Sequence, residues 1–300
     1  MEQYNFIAQY FFNKTRQTKD IIMKSAVIIV LYNPSLDEVL ENIHSYEDEV
    51  DAIYLIDNTN TATDRFNGID KVKYMPMFNN LGLCKGLNIG CNEAIKDGFD
   101  ILITMNMDTF CPKGTIMSLV SAVGNTPEKA YGTNIKLIYR DSEGKRIFSE
   151  EAKFPEKNEE VCWTIMSGNA FSSKCFNAVG GFDESLFIDN LDRDFSFRLI
   201  RAGFPIVRLG NVFIFQEFGN MTTFNIGFKT LHIANLSPFR YYYIFRNEYY
   251  LRKKYKADYN IYKVELYKYI FSILFFEKDK IKKLKACIKG IRESRKMNYE

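Results

Sequence analysis

A chain of 300 residues with 46% hydrophobic and 26% charged content can bury one large core or two modest ones, which excludes global disorder. Its six cysteines include no C-x-x-C pair, so they read as reduced, cytosolic thiols rather than a disulfide frame or zinc site. The net charge of +3 hides an asymmetry: Phe239 to Glu300 holds 17 Lys/Arg against 7 Asp/Glu, a net of +10, leaving −7 for everything before it.

Met1 to Lys24 mixes charged and aromatic residues, lacks the apolar run of a signal peptide, and reads as a short helical extension. Ser25 to Tyr32 is a β-branched strand, stopped by Asn33-Pro34, and a helix follows through Leu36, Val39, Leu40 and Ile43. Asp51 to Asp57 is a second strand and Lys71 to Met77 a third, short one. Asn79 to Asn92 then leads into a helix that Gly98 closes. Strand and helix units alternating at this length predict a mostly parallel sheet with helices on both sides.

The run Asp100 to Thr109 (DILITMNMDT) ends an apolar strand in a carboxylate, which places Asp108 at the carboxyl edge of the sheet, where open α/β folds bind ligands. Asp108 is otherwise a loop residue capping the helix after Pro112. Gly82, Gly86 and Gly90 recur every four residues, although each glycine inside a helix costs about 1 kcal/mol relative to alanine. They permit either close packing of helix on sheet or a smooth face for a ligand, with Lys85 and Asn88 offering hydrogen bonds to phosphate oxygens. Neither the dinucleotide G-x-G-x-x-G nor a P-loop occurs, so hydride transfer to NAD and P-loop ATP hydrolysis lose their usual signatures.

Beyond Asp108 the alternation becomes irregular. Lys129 to Arg140 and Arg146 to Phe154 read as strands joined by a turn at Asp141 to Gly144, and Val161 to Ser172 as another strand passing through Ser167-Gly168-Asn169. Gly180 to Glu184 is a turn. In the acid-rich segment that follows, Asp189 can cap a helix carrying Leu191, Phe195, Leu199 and Ala202, ended by Gly203. Asp194 is placed to pair with Arg198 four residues on, and Asp192 sits where the helix dipole favours an acid. Three acids in six residues repel one another unless a cation or a function offsets them, which singles out Asp192. The only histidines, His44 and His232, both read as structural, so acid–base work falls on carboxylates.

These pieces, in this order, resemble glycosyltransferase family 2, the inverting enzymes of the GT-A fold, and most of all its bacterial rhamnosyltransferase-like members. The matching residues are Tyr32-Asn33, Asp57, Asn80-x-Gly82 with Gly86 and Asn88, Asn106-x-Asp108-Thr109, Gly168-Asn169, Gly181-Phe-Asp-Glu184, Asp189 to Arg198, and Ser237 to Asn247. The resemblance implies an α/β fold, a Rossmann-like and mostly parallel sheet flanked by helices. It divides the chain into an extension (1–24), a GT-A domain (25–236) and a basic amphipathic helical region (237–300). It also implies a nucleotide-diphospho-sugar donor whose base contacts Asp57, held by Tyr32, Asn33, Gly82, Lys85, Gly86, Asn88, Met107 and Asp108. Asp108 would coordinate Mg²⁺ or Mn²⁺, and Asp192 would stand in the place of the general base. Gly168, Asn169, Asp189, Asp194 and Gln216 would fall on the acceptor or donor-sugar side. Two departures are visible: Asn106 replaces the first acid of the family's D-x-D, and Gln216-Glu-Phe-Gly219 replaces its H-x-x-G.

In the tail, Ile261, Val264, Tyr267, Ile270, Phe271, Leu274 and Phe275 fall on one helical face, and Ile281, Leu284, Ile288 and Ile291 on another, among lysines. No window is long enough for a membrane span. Such a tail can lie on an anionic bilayer, pack as a helical subdomain or form a dimer face. No nucleic-acid recognition motif accompanies it. The expected activity is transfer of L-rhamnose from dTDP-L-rhamnose to a saccharide acceptor, lipid-linked at the inner membrane face, for a surface polysaccharide or O-antigen. The alternatives are a UDP-hexose or UDP-galactofuranose donor on the same scaffold, or a non-catalytic sugar-nucleotide-binding protein.

Overall fold

The computed structural model describes residues 23–140, 143–150, 153–217, 222–226 and 229–298. The centre of its sheet is β1 (Ser25–Leu31), flanked in parallel by β2 (Ala52–Asp57) and β4 (Ile101–Asn106), with β3 (Val72–Pro76) parallel on the outer side of β2. Strands β1, β2 and β4 lack polar alternation because both of their faces are covered, whereas the edge strand β3 is half-buried. Ala26 and Ile28 enter one core while Val27, Ile29 and Leu31 enter the other, following the period of two along a strand.

Further along come β5 (Thr109–Phe110), β6 (Ala130–Arg140), β7 (Arg146–Phe148), β8 (Glu159–Val161), β9 (Asn169–Ser172) and β10 (Ile206–Glu217). The main path runs β3-β2-β1-β4-β9-β6-β10-β5, with β7 on β6 and β8 on β10. Strand β9 lies antiparallel between β4 and β6, so the parallel half and the second half share one sheet. A separate hairpin pairs β11 (Thr222–Ile226) with β12 (Lys229–Ile233).

Helices α1 (Leu36–His44) and α3 (Thr115–Asn125) cover one face through Val39, Ile43, Ile116 and Leu119. The other face is covered by α2 (Leu83–Lys96), α4 (Ser173–Ala178) and α5 (Leu191–Arg201). Helix α6 (Pro238–Tyr255) joins that same core through Tyr250 and Leu251, then uses Tyr241, Ile244 and Phe245 to pack against α7 (Leu266–Phe275) and α8 (Lys280–Ser294). The tail is thus a helical subdomain seated on the body, and no helix among the described residues is long and apolar enough to cross a membrane.

Several expectations need correction. The predicted strand over Val161 to Ser172 is two strands, because the chain leaves β10 after Val161 and re-enters the sheet beside β4, turning at Gly168 with φ +70°. The strand from Arg146 ends at Phe148. Residues 141–142, 151–152 and 218–219, Met1 to Ile22, and the side chain of His232 lie outside the described residues. The tail's first apolar face does not act as one: Val264 and Ile270 pack inward, whereas Ile261, Tyr267, Phe271, Leu274 and Phe275 are exposed.

The α2 glycines serve packing. A Cβ at Gly90 would meet Ile28 Cγ2 at 2.5 Å, and one at Gly86 would meet Val30 Cγ2 at 2.8 Å, so the helix rests directly on β1. Gly90→Val is therefore expected to lower stability by about 3 kcal/mol through overpacking. Gly124→Ala, where a Cβ meets nothing within 4 Å, is expected to raise it by up to about 1 kcal/mol through helix propensity. Urea unfolding of the two variants checks both signs, and a wild-type midpoint for Gly90→Val would show that α2 rides freely above the sheet.

Candidate active site

Parallel strands that point the same way deliver their carboxyl ends to one edge, and here a cleft of about 510 Å³ opens along that edge. Its walls include Tyr32 after β1, Asn58 after β2, Asn106 at the end of β4 with Met107 and Asp108 beyond it, Ser167, the loop Phe187 to Asn190 with the first turn of α5, Gln216 on β10, and Phe239 and Arg240 on α6. Asp108 and Asp192, more than eighty positions apart in the chain, face the same hollow.

Asp108 is partly buried, and its Oδ1 is enclosed without a hydrogen-bond partner. Burial raises its pKa to about 6, and the nearby carboxylates of Glu217 and Glu38 add to the rise. Gln216 comes beside it because β10 pairs antiparallel with β5 in the register Gln216 to Thr109, and its buried Oε1 also lacks a partner. Asn58 donates from Nδ2 to the Gly82 carbonyl at 3.0 Å, while its buried Oδ1 is left unpaired. Three buried acceptor oxygens on one cleft call for a cation or for ligand N–H and O–H donors.

Asp192 sits in the first turn of α5, and its Oδ1 accepts from the backbone N–H of Arg193 at 3.0 Å. The guanidinium of Arg193 turns elsewhere, over the Trp163 ring at 4.1 Å and donating to the Tyr262 carbonyl at 2.6 Å. Among the described residues Asp192 therefore makes no ion pair, although the charge of Arg193 still opposes part of the effect of burial. Burial holds its pKa above the ordinary carboxylate value, and Asp189 pushes the same way. A partly buried, unneutralised carboxylate with a raised pKa has the character of a general base.

The other acids of the segment are committed elsewhere. Asp189 was expected to cap α5, but Asn190 takes that position, because Asp189 accepts from Arg240 Nε at 2.8 Å and Nη2 at 2.5 Å in a bidentate pair. Asp189 still lines the cleft. Asp194 is fully buried behind it, bound by Arg198 at 2.6 Å, as the i, i+4 spacing predicts, and by Tyr255 Oη at 2.6 Å.

Some expected ligand contacts are placed differently. Both ends of the Asn88 amide hold the turn after Gly181: Nδ2 donates to the Phe182 carbonyl at 2.9 Å and to Glu184 at 3.0 Å, and Oδ1 accepts from the Phe182 N–H at 2.8 Å. Lys85 is exposed and Gly86 lies under Val30, so neither lines the cleft. The amino end of α2 is already capped by the Phe187 carbonyl, which accepts from the Leu83 N–H at 2.6 Å. Gly82 does line the cleft, with the Phe187 ring packed where its Cβ would stand.

Asp57 is buried, accepting from the Thr59 N–H at 2.9 Å and from Tyr74 Oη at 2.8 Å, and its neighbour Asn58 reaches the hollow instead. Asn33 binds Thr59 Oγ1 through its backbone N–H, outside the hollow. Tyr32 and Met107 line it, Met107 with its carbonyl fixed by Asn42 at 2.8 Å. Gly168 and Asn169 lie behind the wall, where Asn169 Nδ2 donates to Thr164 at 3.1 Å, and Ser167 faces the cleft in their place. Asn58, Ser167, Phe187, Phe239 and Arg240 were not among the expected site residues; Phe239 and Arg240 fall inside the matched stretch Ser237 to Asn247, and for the other three the available signal was adjacency to motif residues.

Residues 26–180 match the model of Glycosyl transferase family 2, just over half of the chain. The chain belongs to glycosyl transferase family 2. This transferase is 27% identical over 240 residues to the dTDP-rhamnosyl transferase RfbF of Shigella flexneri, covering 76% of this chain and 79% of that protein. Among solved structures it is similar to GalNAc-T7 with UDP, GalNAc and Mn²⁺, at a TM-score of 0.58 and 13% identity over 79% of this chain, which spans about half (49%) of that protein. It is also similar to S. aureus TarS 1-349 in complex with UDP-GlcNAc, at a TM-score of 0.56 and 15% identity, covering 91% of this chain and 80% of that one. The transferase therefore has the GT-A architecture, and it is a glycosyltransferase.

The placement of Asn88 and Lys85 is open to measurement. Asn88→Ala strands two buried backbone groups of Phe182, and unfolding experiments are expected to show a loss of about 2–4 kcal/mol. Lys85→Ala, at an exposed site off the cleft, is expected to change the KM for the nucleotide sugar by less than about twofold. A tenfold change in the Lys85 variant would return that lysine to the donor site.

Proposed function

We propose that this transferase moves L-rhamnose from dTDP-L-rhamnose to a saccharide acceptor, with inversion, in the synthesis of a cell-surface polysaccharide or O-antigen. The observation that carries the catalytic part is the convergence of Asp108 and Asp192 on one cleft. The donor assignment is supported by the similarity to RfbF, whose name gives dTDP-rhamnosyl transfer.

Asp192 takes the proton of the acceptor hydroxyl as that oxygen bonds to the anomeric carbon, while the bond from the same carbon to the diphosphate oxygen breaks and dTDP departs. One displacement from the opposite face inverts the anomeric centre. The bidentate Asp189–Arg240 pair fixes the loop that carries Asp192 and occupies both oxygens of Asp189. Asn58 Oδ1 presents an acceptor to N–H or O–H groups of the nucleoside.

The fold family implies a divalent metal, and GalNAc-T7 was solved with Mn²⁺. Among the described residues no group of three or more His, Cys, Asp or Glu side chains gathers as a metal centre. The unpaired Oδ1 of Asp108 and Oε1 of Gln216 nevertheless fit a hard cation that takes part of its shell from substrate phosphates, and these are the residues that would hold Mg²⁺ or Mn²⁺. Such a cation offsets the charge that develops on the leaving diphosphate.

Four outcomes test this function. Wild-type protein consumes dTDP-L-rhamnose with an acceptor present and gives a product of inverted configuration. Consumption of a UDP-hexose instead would reassign the donor, and nucleotide binding with no turnover across a donor panel would make the protein a binding module. Asp192→Asn lowers kcat by about 10²–10⁴ without lowering the melting temperature. Because the base must be ionised and its pKa is raised, wild-type kcat/KM falls on the acid side through a limb lying above the ordinary carboxylate range. Finally, Mn²⁺ raises the melting temperature of the wild type but not of Asp108→Ala, since a ligand of the native state alone stabilises it.

A further inference from the structure

A second surface leads away from the cleft over α6 and α8. Phe239, half exposed, lines both the cleft and an adjoining hollow of about 420 Å³ that also contains Tyr243 and Lys289. Lys289 in turn lines a third hollow of about 480 Å³, together with Lys285, Arg292 and Lys296. The three spaces thus share walls in sequence. The first stretch is aromatic: Phe187, at the cleft, stacks on Tyr243 at 5.0 Å, and Phe239 meets the same ring edge-on at 4.9 Å.

The last stretch is cationic. Four cations face one carboxylate, Glu293, which is already taken by the Tyr242 hydroxyl and approached by Lys289 at 3.8 Å. Lys285, Arg292 and Lys296 are exposed, and none has an ion-pair partner among the described residues. Gly290 brings these cations beside the aromatic row, because a Cβ there would collide with the Tyr242 carbonyl and hold α8 away from α6. Glycine in a helix interior costs about 1 kcal/mol, so the close approach is obtained against helix propensity.

We propose that this surface is the acceptor track: a pyranose face of the acceptor packs on the half-exposed ring of Phe239, which Tyr243, itself covered by Phe187 and by Arg246 at 4.5 Å, holds in place, and a phosphate or diphosphate on its reducing side rests among Lys285, Lys289, Arg292 and Lys296. The inference rests on the transferase function proposed above. Aromatic faces are electron-rich and suit the C–H faces of a sugar, and a cluster of four ammonium and guanidinium groups that holds only one carboxylate, Glu293, suits phosphate oxygens. The donor's own diphosphate is provided for at the Asp108 end, so the second anionic group belongs to the acceptor.

The test compares two probes that differ in the anionic linkage, glucosyl octyl diphosphate and octyl glucoside, by calorimetry in EDTA with dTDP present. Wild type is expected to bind the diphosphate probe at least about tenfold tighter, a preference that shrinks with added salt. In Lys285→Ala/Arg292→Ala/Lys296→Ala the difference is expected to fall below about twofold, whereas a triple substitution of equal charge at Lys268, Lys278 and Lys282 keeps it. Equal affinities in the wild type, a preference that survives the first triple variant, or equal loss in the second would each overturn the track. So would a first triple variant that leaves phosphatidylglycerol vesicles yet keeps the probe preference, which assigns the cations to a bilayer. Transfer is assayed separately: turnover without an affinity difference sinks the track alone, and an affinity difference without turnover sinks the catalytic function alone.

Discussion

One buried amide holds the working edge of this molecule together. Asn247 Nδ2, on a fully buried side chain of α6, donates to the carbonyls of Leu186, Ile188 and Asp189 at 2.9, 2.7 and 2.9 Å. The neighbouring Glu248 accepts from Asn190 Nδ2 at 2.9 Å. Between them they fix a loop in which Phe187, Asp189 and Asn190 all have positive φ, at 64°, 67° and 61°. Left-handed backbone at a non-glycine residue costs about 1–3 kcal/mol where the side chain does not help, and Phe187 has no such help. The conformation persists because the surroundings over-determine it, and it sets four things at once. The Phe187 carbonyl caps α2, the Phe187 ring closes on Gly82, Asp189 turns to Arg240, and Asn190 starts the helix that aims Asp192 into the cleft.

The cleft so formed is electrostatically unfinished. Of its three carboxylates, Asp108, Asp189 and Asp192, only Asp189 has a guanidinium partner among the described residues. Acids with structural work in the same region are satisfied: Asp194 by Arg198 and Tyr255, and Asp183 by Lys254 at 2.7 Å. The contrast separates function from packing better than burial does. Asp194 is the most buried of the acid-rich segment and the least available, whereas Asp108 and Asp192 are partly exposed and carry pKa values raised by burial that no nearby cation fully offsets. A buried charge left in that condition is costly unless a ligand completes it.

The parallel half of the fold was legible because apolar strands buried on both faces leave an unmistakable run, and their termini put Asp108 and the Asp57-Asn58 pair at the sheet edge without further information. Which of Asp57 and Asn58 faces the ligand was not legible, since it depends on Tyr74, a side chain of the next strand, reaching back to claim Asp57. Gly86 and Gly90 look the same in sequence whether a helix face meets a phosphate or a strand. Only the positions of Val30 and Ile28 decide. Asn88 failed for a related reason: a buried amide satisfied by the Phe182 backbone ninety-four positions away has no local signature. Asp194 and Arg198 succeeded because four residues on a helix is a local distance.

The tail illustrates how composition and mechanics can divide a chain at different places. Charge changes sign near Phe239, yet the first helix beyond that point supplies Arg240 to the cleft, Asn247 and Glu248 to the strained loop, and Tyr255 to Asp194. Ser237 starts this helix, its Oγ accepting from the Arg240 N–H, so the residue that begins α6 also orients the one that neutralises Asp189. The basic excess is shared, five Lys/Arg against one acid on α6 and six against one on α8, but Lys285 and Arg292 on α8 are exposed and have no ion-pair partner among the described residues. Helix α8 divides its cations, Lys283 being buried against Glu277 at 2.7 Å while Lys285 and Arg292 stay exposed, so a single helical tail braces the loop that carries Asp192 on one side and turns cations to solvent on the other.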